Sequence, residues 1–595
     1  MNPNHLKLLK MAQSLELAGR AAEAAQAYSE FLAREPRHAD TWSDFAGQLM
    51  QLGRLDEAEH ACQTALRLDA GHLSAQINLG CLFMHAGSLD ASESRFRAVL
   101  KAEPRRFDAR LCLVECLIKK GDLDGARKAL DEAYQLGPIP PAFAGLRGRH
   151  AEQWTVLGSA RLERKQFEAA FSAFQNALQL NPLDFAAKAN QGAVRMAQGR
   201  LEEALGMFQR LVAEHPGDER ARLLLITCLA RKNHPDALRE EIAKAIQQKP
   251  SSFTTHRSVM GVHYFRGDWA AYRAEIARYR AFYPKSAFAD FEEGCVDLLF
   301  GDMARGWKRY EGRLGIPKEV RPRRVFSEPG WDGEPFAGKT LLLWPEQGFG
   351  DTLMALRYLP AVKALGGRVL LEVQPALAAL AGTCSAPDQV IPSGQPLPGF
   401  DLQASLMSLP HLFKTDLSSI PAAVPYLETP ADPPHRQDLE ACLAKAPGRP
   451  RIGLVWAGFP GHTLDHERSL SPSALAPLAA LSGAAWFSFQ VGGGEELPPL
   501  PTLTALTPWL GDFSDTAYAL GHMDLLITVD TSVAHLAGAL GVPTWLLLPF
   551  APDFRWMLER RDSPWYPTFR LYRQPVYGDW ASVIRQVAAD LGQGL

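Results

Sequence analysis

Net charge is almost absent from the sequence: 63 Lys and Arg stand against 66 Asp and Glu, leaving −3 over 595 residues. The one-signed field that nucleic-acid and membrane-surface proteins rely on is therefore missing, and any partner must be read by shape and local chemistry. Long apolar runs are missing as well. Stretches such as 545–548 and the Ala-rich 474–481 fall far short of the ~20 residues of a bilayer span, so no membrane span is expected. The start, Met-Asn-Pro-Asn-His-Leu-Lys, has no basic region followed by an apolar block, so no secretory signal is expected and the expected location is cytoplasmic. Cysteine is sparse, at 62, 81, 112, 116, 228, 295, 384 and 442. There is no CxxC, and His60 and His85 complete no four-ligand zinc spacing, so reduced core thiols are expected and no metal site.

What is present is length and periodicity. At roughly 100 to 200 residues per domain the chain must hold several domains. Gly19, Gly53, Gly87 and Gly121 recur every 34 residues, and Pro36, Pro104 and Pro138 keep the same period with Ala70 in the empty slot. The phase jumps by ten across a Pro- and Gly-rich insertion near 139–150, then resumes with Pro182, Pro216, Pro250 and Pro284 and with Gly199, Gly267 and Gly301. Lys165 and Asn233 replace glycine at two turns. Glycine permits the left-handed turn between antiparallel helices, small residues let the helices approach, and proline ends the second helix. Small and large residues recur between these markers: Trp42, Ala58 and Ala65; Gly80, Phe83 and Phe96; Trp154, Gly158, Ala170, Phe174 and Ala177; Gly192, Ala204 and Phe208. This pattern resembles the tetratricopeptide repeat. About nine units fill residues 1–314, the last a divergent cap, and stacking them predicts an α superhelix whose groove receives a protein. A purely structural spacer is the alternative.

The rhythm stops at Gly315. Residues 315–337 read as a linker with Pro317, Pro322, Pro329 and Pro335, and with Arg321, Arg323 and Arg324 forming a solvated basic face. Apolar runs of strand length follow at 340–344, 368–373, 388–391, 400–402 and 424–427, with a helical pattern between the first two. A polar, Pro-rich break at 431–450 precedes further strands at 451–456, 485–490, 525–529 and 544–548, and Asp579 caps a closing helix. The expected architecture is α/β, with two Rossmann-like lobes at 338–430 and 451–595 and a ligand crevice at the carboxyl ends of their parallel strands.

Three segments carry a further resemblance. The turn Glu346-Gln347-Gly348-Phe349-Gly350-Asp351-Thr352-Leu353 resembles the GxGD start of heptosyltransferase-like GT-B glycosyltransferases, and Asp530-Thr531-Ser532-Val533-Ala534-His535 resembles their D-T-x-x-x-H donor-phosphate motif. The block from Gly453 to Gly458, running on to Arg468-Ser469-Leu470, looks like the opening of their second lobe. Repeats joined to such a module resemble bacterial flagellin glycosyltransferases. More distantly, the layout is similar to O-linked N-acetylglucosamine transferases.

The resemblance implies that a Ser or Thr hydroxyl of flagellin, held by the repeats, displaces the nucleotide from a CMP-linked nonulosonic acid such as pseudaminic acid. No cofactor beyond that donor is implied. Asp351 matches the family's catalytic aspartate, on the acceptor-side lobe, and is the candidate base; the competing reading is an ordinary helix N-cap. His462 and His466 are rival bases. The helix opening at Thr531 and Ser532 presents free N–H groups to a phosphate, with Asp530 before it and His535 as a further donor. Arg468, with Ser469 beside it, is a candidate for phosphate or for a sugar carboxylate. Arg555 and Trp556 are candidates for nucleotide or sugar contact, and Gly348 and Gly350 supply the turn backbone. No DxD pair accompanies these strands, so a metal-independent mechanism is expected. A heptosyltransferase with another donor, or a repeat scaffold without catalysis, are the alternatives.

Overall fold

The computed structural model describes residues 2–137, 143, 145–317, 324–346, 348–445, 450–459, 465–481, 483–492, 496–501 and 503–593. By packing, the chain divides into two compact units, Met1–Cys228 and Leu229–Leu595.

Among the described residues eighteen α-helices, from Pro3–Leu17 to Met303–Tyr310, precede the first strand. They pair as antiparallel hairpins, and the sequence markers explain why. Gly53, Gly121 and Gly199 lie at the turns with φ of 73°, 84° and 74°, and Lys165 and Asn233 adopt the same left-handed backbone at 58° and 57°. Within a hairpin the small residue is needed for contact: a Cβ on Gly158 would lie 2.6 Å from the Phe174 ring, and one on Gly192 would lie 2.4 Å from Phe208. The expected insertion lies partly outside the described residues. From Leu146 onward it lengthens the next helix, Leu146–Glu163, to 18 residues against 14 for its partner Phe167–Leu180.

The second unit contains the last hairpins and two parallel sheets. In the first sheet the order is β3-β2-β1-β4, with β1 (Thr340–Trp344), β2 (Arg368–Val373), β3 (Gln389–Pro392) and β4 (Leu402–Ser405). In the second it is β10-β9-β8-β5-β6-β7, with β5 (Arg451–Val455), β6 (Ala485–Ser488), β7 (Thr504–Ala505), β8 (Leu525–Val529), β9 (Thr544–Leu548) and β10 (Phe569–Arg573). All pairings between these strands are parallel; Leu341 sits opposite Val369 and Leu402, and Ile452 opposite Trp486 and Leu525. Parallel strands are covered on both faces, which is why they read as continuous apolar runs. In each sheet the strand order reverses, beside β1 in one and between β5 and β8 in the other, and such reversals open a crevice at the carboxyl edge.

Three local features depart from these expectations or add to them. Segment 424–427 is not a strand: Pro425 lacks a donor, and the amides of Tyr426 and Leu427 bond the Ala539 carbonyl at the end of helix Ser532–Leu540. The charged β10 was not anticipated, because the arginines in Phe-Arg-Leu-Tyr-Arg break the apolar run. Arg324 is exposed, as a linker charge would be, but it also pairs with Glu372, which is buried on β2. Arg321 and Arg323 lie outside the described residues.

The last hairpin, Ala287–Leu299 with Met303–Tyr310, does not end on water. Trp307 packs edge-on against Phe554 at 5.7 Å and Trp565 at 6.1 Å. Arg313, fully buried, donates to Glu346 at 2.6 Å and 3.0 Å and to Ser408 at 2.8 Å. The same guanidinium bonds Glu311 at 2.5 Å, so a closed polar network ties the end of the repeats to the turn after β1.

Candidate active site

The two motif turns meet in the second unit. Helix Phe349–Ala355, which follows β1, packs on helix Ser532–Leu540, which follows β8. Gly350 lies at the contact: a Cβ there would fall 2.6 Å from His535 Cδ2. A side chain at this position would separate the two elements.

Asp351 is the third residue of its short helix. Its Oδ2 accepts from the Gly348 N–H at 2.9 Å, so Gly348 is the N-cap residue and Asp351, expected as a possible N-cap, is the N3 acid of the capping box. Its Oδ1 accepts from Arg555, across from the other sheet. Arg555 also donates to Asp553 at 2.8 Å and is almost wholly buried. Burial raises the Asp351 pKa, with Asp553 and Glu346 acting in the same direction, while Arg555 and the Gly348 amide oppose them; the net direction is up.

Helix Ser532–Leu540 begins without a side-chain cap: Thr531 is its N-cap residue and bonds no first-turn amide. One edge of this N-terminus is His535, whose Nδ1 lies 2.9 Å from the Tyr566 hydroxyl and whose Nε2 lies 3.9 Å from Asp530 Oδ1. Burial first, then Arg555, Arg357 and Arg468, holds His535 far below its ordinary pKa, so it is a neutral imidazole. Asp530 is pushed up to about 6, by burial and then by Asp553, against Arg468, Trp556 and Arg555. Trp556 stacks between His535 at 5.4 Å and Phe569 at 5.8 Å. Its indole nitrogen is buried and turned toward Asp530, whose ionised form it favours.

After β5, Ser469 accepts from the Gly458 amide at 2.9 Å and donates to Asp465 at 3.0 Å, so its hydroxyl holds the loop. Arg468 Nε is buried 3.7 Å from Asp465 and has no hydrogen-bond partner among the described residues. Thus Gly348, Gly350, Asp351, Asp530, Thr531, Ser532, His535, Arg555 and Trp556 form one neighbourhood, and the field of Arg468 reaches it. His462 and Gln347 lie outside the described residues, as does the side chain of His466. Among the described residues no three His, Cys, Asp or Glu side chains gather as a metal cluster, and no helix is long and apolar enough to cross a membrane.

Sequence reasoning missed four participants: Arg313, Arg357, Asp553 and Tyr566. Arg357 is buried, donates to the Trp565 carbonyl at 2.7 Å, and lies over the rings of Tyr566 at 4.7 Å and Tyr426 at 4.9 Å. No motif marks these residues; only Asp553, two positions before Arg555, had a local signal as a turn-opening acid.

Residues 83–149, 161–224 and 195–257 match the family described as tetratricopeptide repeat, and residues 8–110 match the cilia and flagella-associated protein 70 middle TPR-like domain. The helical hairpins are therefore tetratricopeptide repeats. Protein FlbA of Caulobacter vibrioides (strain ATCC 19089 / CIP 103742 / CB 15) is 27% identical over 334 residues, 51% of this chain and 55% of FlbA. The chain thus spans about half the length of the curated relative it matches. Among solved structures, the C-terminal part of a TPR repeat-containing protein from Cytophaga hutchinsonii is 16% identical, covering 47% of this chain and 97% of its own, with a TM-score of 0.29. Yeast Tom70 is 10% identical, covering 53% of this chain and 77% of its own, with a TM-score of 0.27.

Proposed function

We propose that this chain is a cytoplasmic, metal-independent protein O-glycosyltransferase of the GT-B type, in which the repeats hold a protein acceptor and the two sheet lobes transfer a sugar. The observation that carries this reading is the meeting of Asp351 with the uncapped helix N-terminus at Thr531 and Ser532, each at the carboxyl edge of its own parallel sheet. One turn offers a partly buried carboxylate of raised proton affinity, and the other offers backbone donors for an anion.

In the proposed step an acceptor hydroxyl oxygen attacks the anomeric carbon of the sugar and its proton passes to Asp351. The bond from that carbon to the nucleotide phosphate breaks, and the negative charge it leaves is received by the helix N-terminus and Arg468. A base buried enough to have a raised pKa is better matched to neutral pH than a solvated carboxylate. Arg555 then acts on Asp351, rather than on the donor, by keeping the partly buried carboxylate ionised. Flagellin as acceptor and a CMP-linked nonulosonic acid as donor follow from the resemblance to flagellin glycosyltransferases.

Co-expression with flagellin and the donor pathway should add the sugar to intact flagellin, read by mass; an unchanged flagellin mass with folded enzyme present would refute the reading. A non-catalytic scaffold is the second reading, favoured by the pairing of Asp351 with Arg555. It predicts binding of a nucleotide sugar, seen as a thermal shift across CMP-, ADP- and UDP-linked donors, without turnover of any.

A further inference from the structure

The loop after β9 is held from outside the sheet. Tyr264, in the last turn of helix Phe253–Phe265, donates from its hydroxyl to the Pro552 carbonyl at 2.6 Å, and its ring meets Trp269 edge-on at 5.1 Å. Two turns of the repeat array take loop side chains where a free repeat would face water. A Cβ on Gly267 would fall 2.7 Å from the Phe550 ring, and one on Gly301 would fall 2.9 Å from Met557 Cε. From the sheet side, Arg573 donates to the carbonyls of Trp556 at 3.2 Å and Met557 at 2.7 Å. Met557 itself has a φ of 51°, a backbone state that a residue with a side chain keeps only where its surroundings hold it. Between these anchors lies Arg555, which pairs with Asp351.

We propose that Tyr264 is a positioning residue of the active site: through its bond to Pro552 the last repeats set where Arg555 lies against Asp351. The inference rests on the reading of Asp351 as the base, and it makes the repeats a working part of the site as well as a place for the acceptor. The physical link is short. Attraction between Arg555 and Asp351 falls with distance, while the burial that raises Asp351 stays the same. A loop released by a fraction of an ångström therefore leaves Asp351 less compensated and easier to protonate.

The test uses full-length Tyr264→Phe, which removes one oxygen atom and keeps the ring. Tyr283→Phe is its control, because that hydroxyl bonds the Ser251 carbonyl on the repeats themselves. In Tyr264→Phe, amide hydrogen exchange across 550–558 should rise about fivefold, the equivalent of one net hydrogen bond. Labelling of Arg555 by phenylglyoxal should rise in step, and the acidic limb of transfer should move to higher pH. Neither Tyr283→Phe nor the melting temperature should follow. Unchanged exchange and labelling would overturn the proposal, as would loosened exchange with an unmoved pH profile. If the loop and Arg555 loosen but the wild type transfers no sugar, the glycosyltransferase reading fails while the anchor at Tyr264 stands.

Discussion

Asp530 and Asp351 both hold protons more tightly than free carboxylates, and each can be tested by itself. For Asp530 the folded-state pKa is raised to about 6 from 3.8. A raised carboxylate favours the protonated folded state, so its contribution to stability is complete below the unfolded pKa and is lost as pH rises through the folded one. Between about pH 4 and pH 6 the second unit should lose up to about 3 kcal/mol from this group. Melting curves across that range, compared with Asp530→Asn, should show the wild type approaching the variant's pH response at the acidic end and diverging above it. Asp351→Asn keeps an acceptor for the Gly348 amide but removes the proposed base, and transfer measured by intact mass should fall by about 10²- to 10⁴-fold with donor affinity little changed. Both residues were legible in the sequence as members of short motifs. Their electrostatics were not, because the partner of Asp351 lies 204 residues away, and a pairing at that separation is set by the fold.

At the scale of elements, the repeats were the most legible part of the chain. A turn that needs positive φ and a helix contact that needs a missing Cβ leave marks every 34 residues, and Lys165 and Asn233 show that the turn geometry persists where glycine is replaced. This logic separates two glycines in similar helices. Gly158→Ala places a methyl 2.6 Å from Phe174 and should destabilise the first unit by about 1–3 kcal/mol through overpacking. Gly206→Ala meets nothing closer than Arg210 at 3.8 Å and should stabilise it by about 0.5–1 kcal/mol, since alanine loses less backbone freedom in a helix. Urea titrations of the two variants should therefore move in opposite directions. Strands were legible where burial on both faces makes them uniformly apolar. They were missed where an edge strand carries charge, as in β10, and one was expected in error where an apolar run containing Pro425 serves a helix terminus.

For the whole molecule, the change of rhythm at Gly315 and the division by packing at Cys228 and Leu229 mark different things. The first is where the repeat sequence ends; the second is where packing divides the chain. The hairpins after Leu229 keep the sequence of repeats, yet Trp307, Tyr310 and Arg313 are buried against Phe554, Trp565, Glu346 and Ser408. A protein starting at residue 338 would lose those three side chains. It would expose Phe554 and Trp565, leave Glu346 with Ser405 but without Arg313, and release the loop that carries Arg555. A protein starting at residue 216, before helix Glu219–Arg231, keeps every one of these contacts. The longer fragment should therefore be monodisperse and melt in one cooperative transition. The shorter one should aggregate or bind a dye for exposed apolar surface, because an uncovered aromatic cluster seeks another chain. Equal behaviour of the two fragments in size-exclusion chromatography and thermal melts would mean that the last repeats are an appendage. Burial of Trp307, Tyr310 and Arg313 makes them instead a wall of the second unit, with the Arg313 to Glu346 bond as its cornerstone.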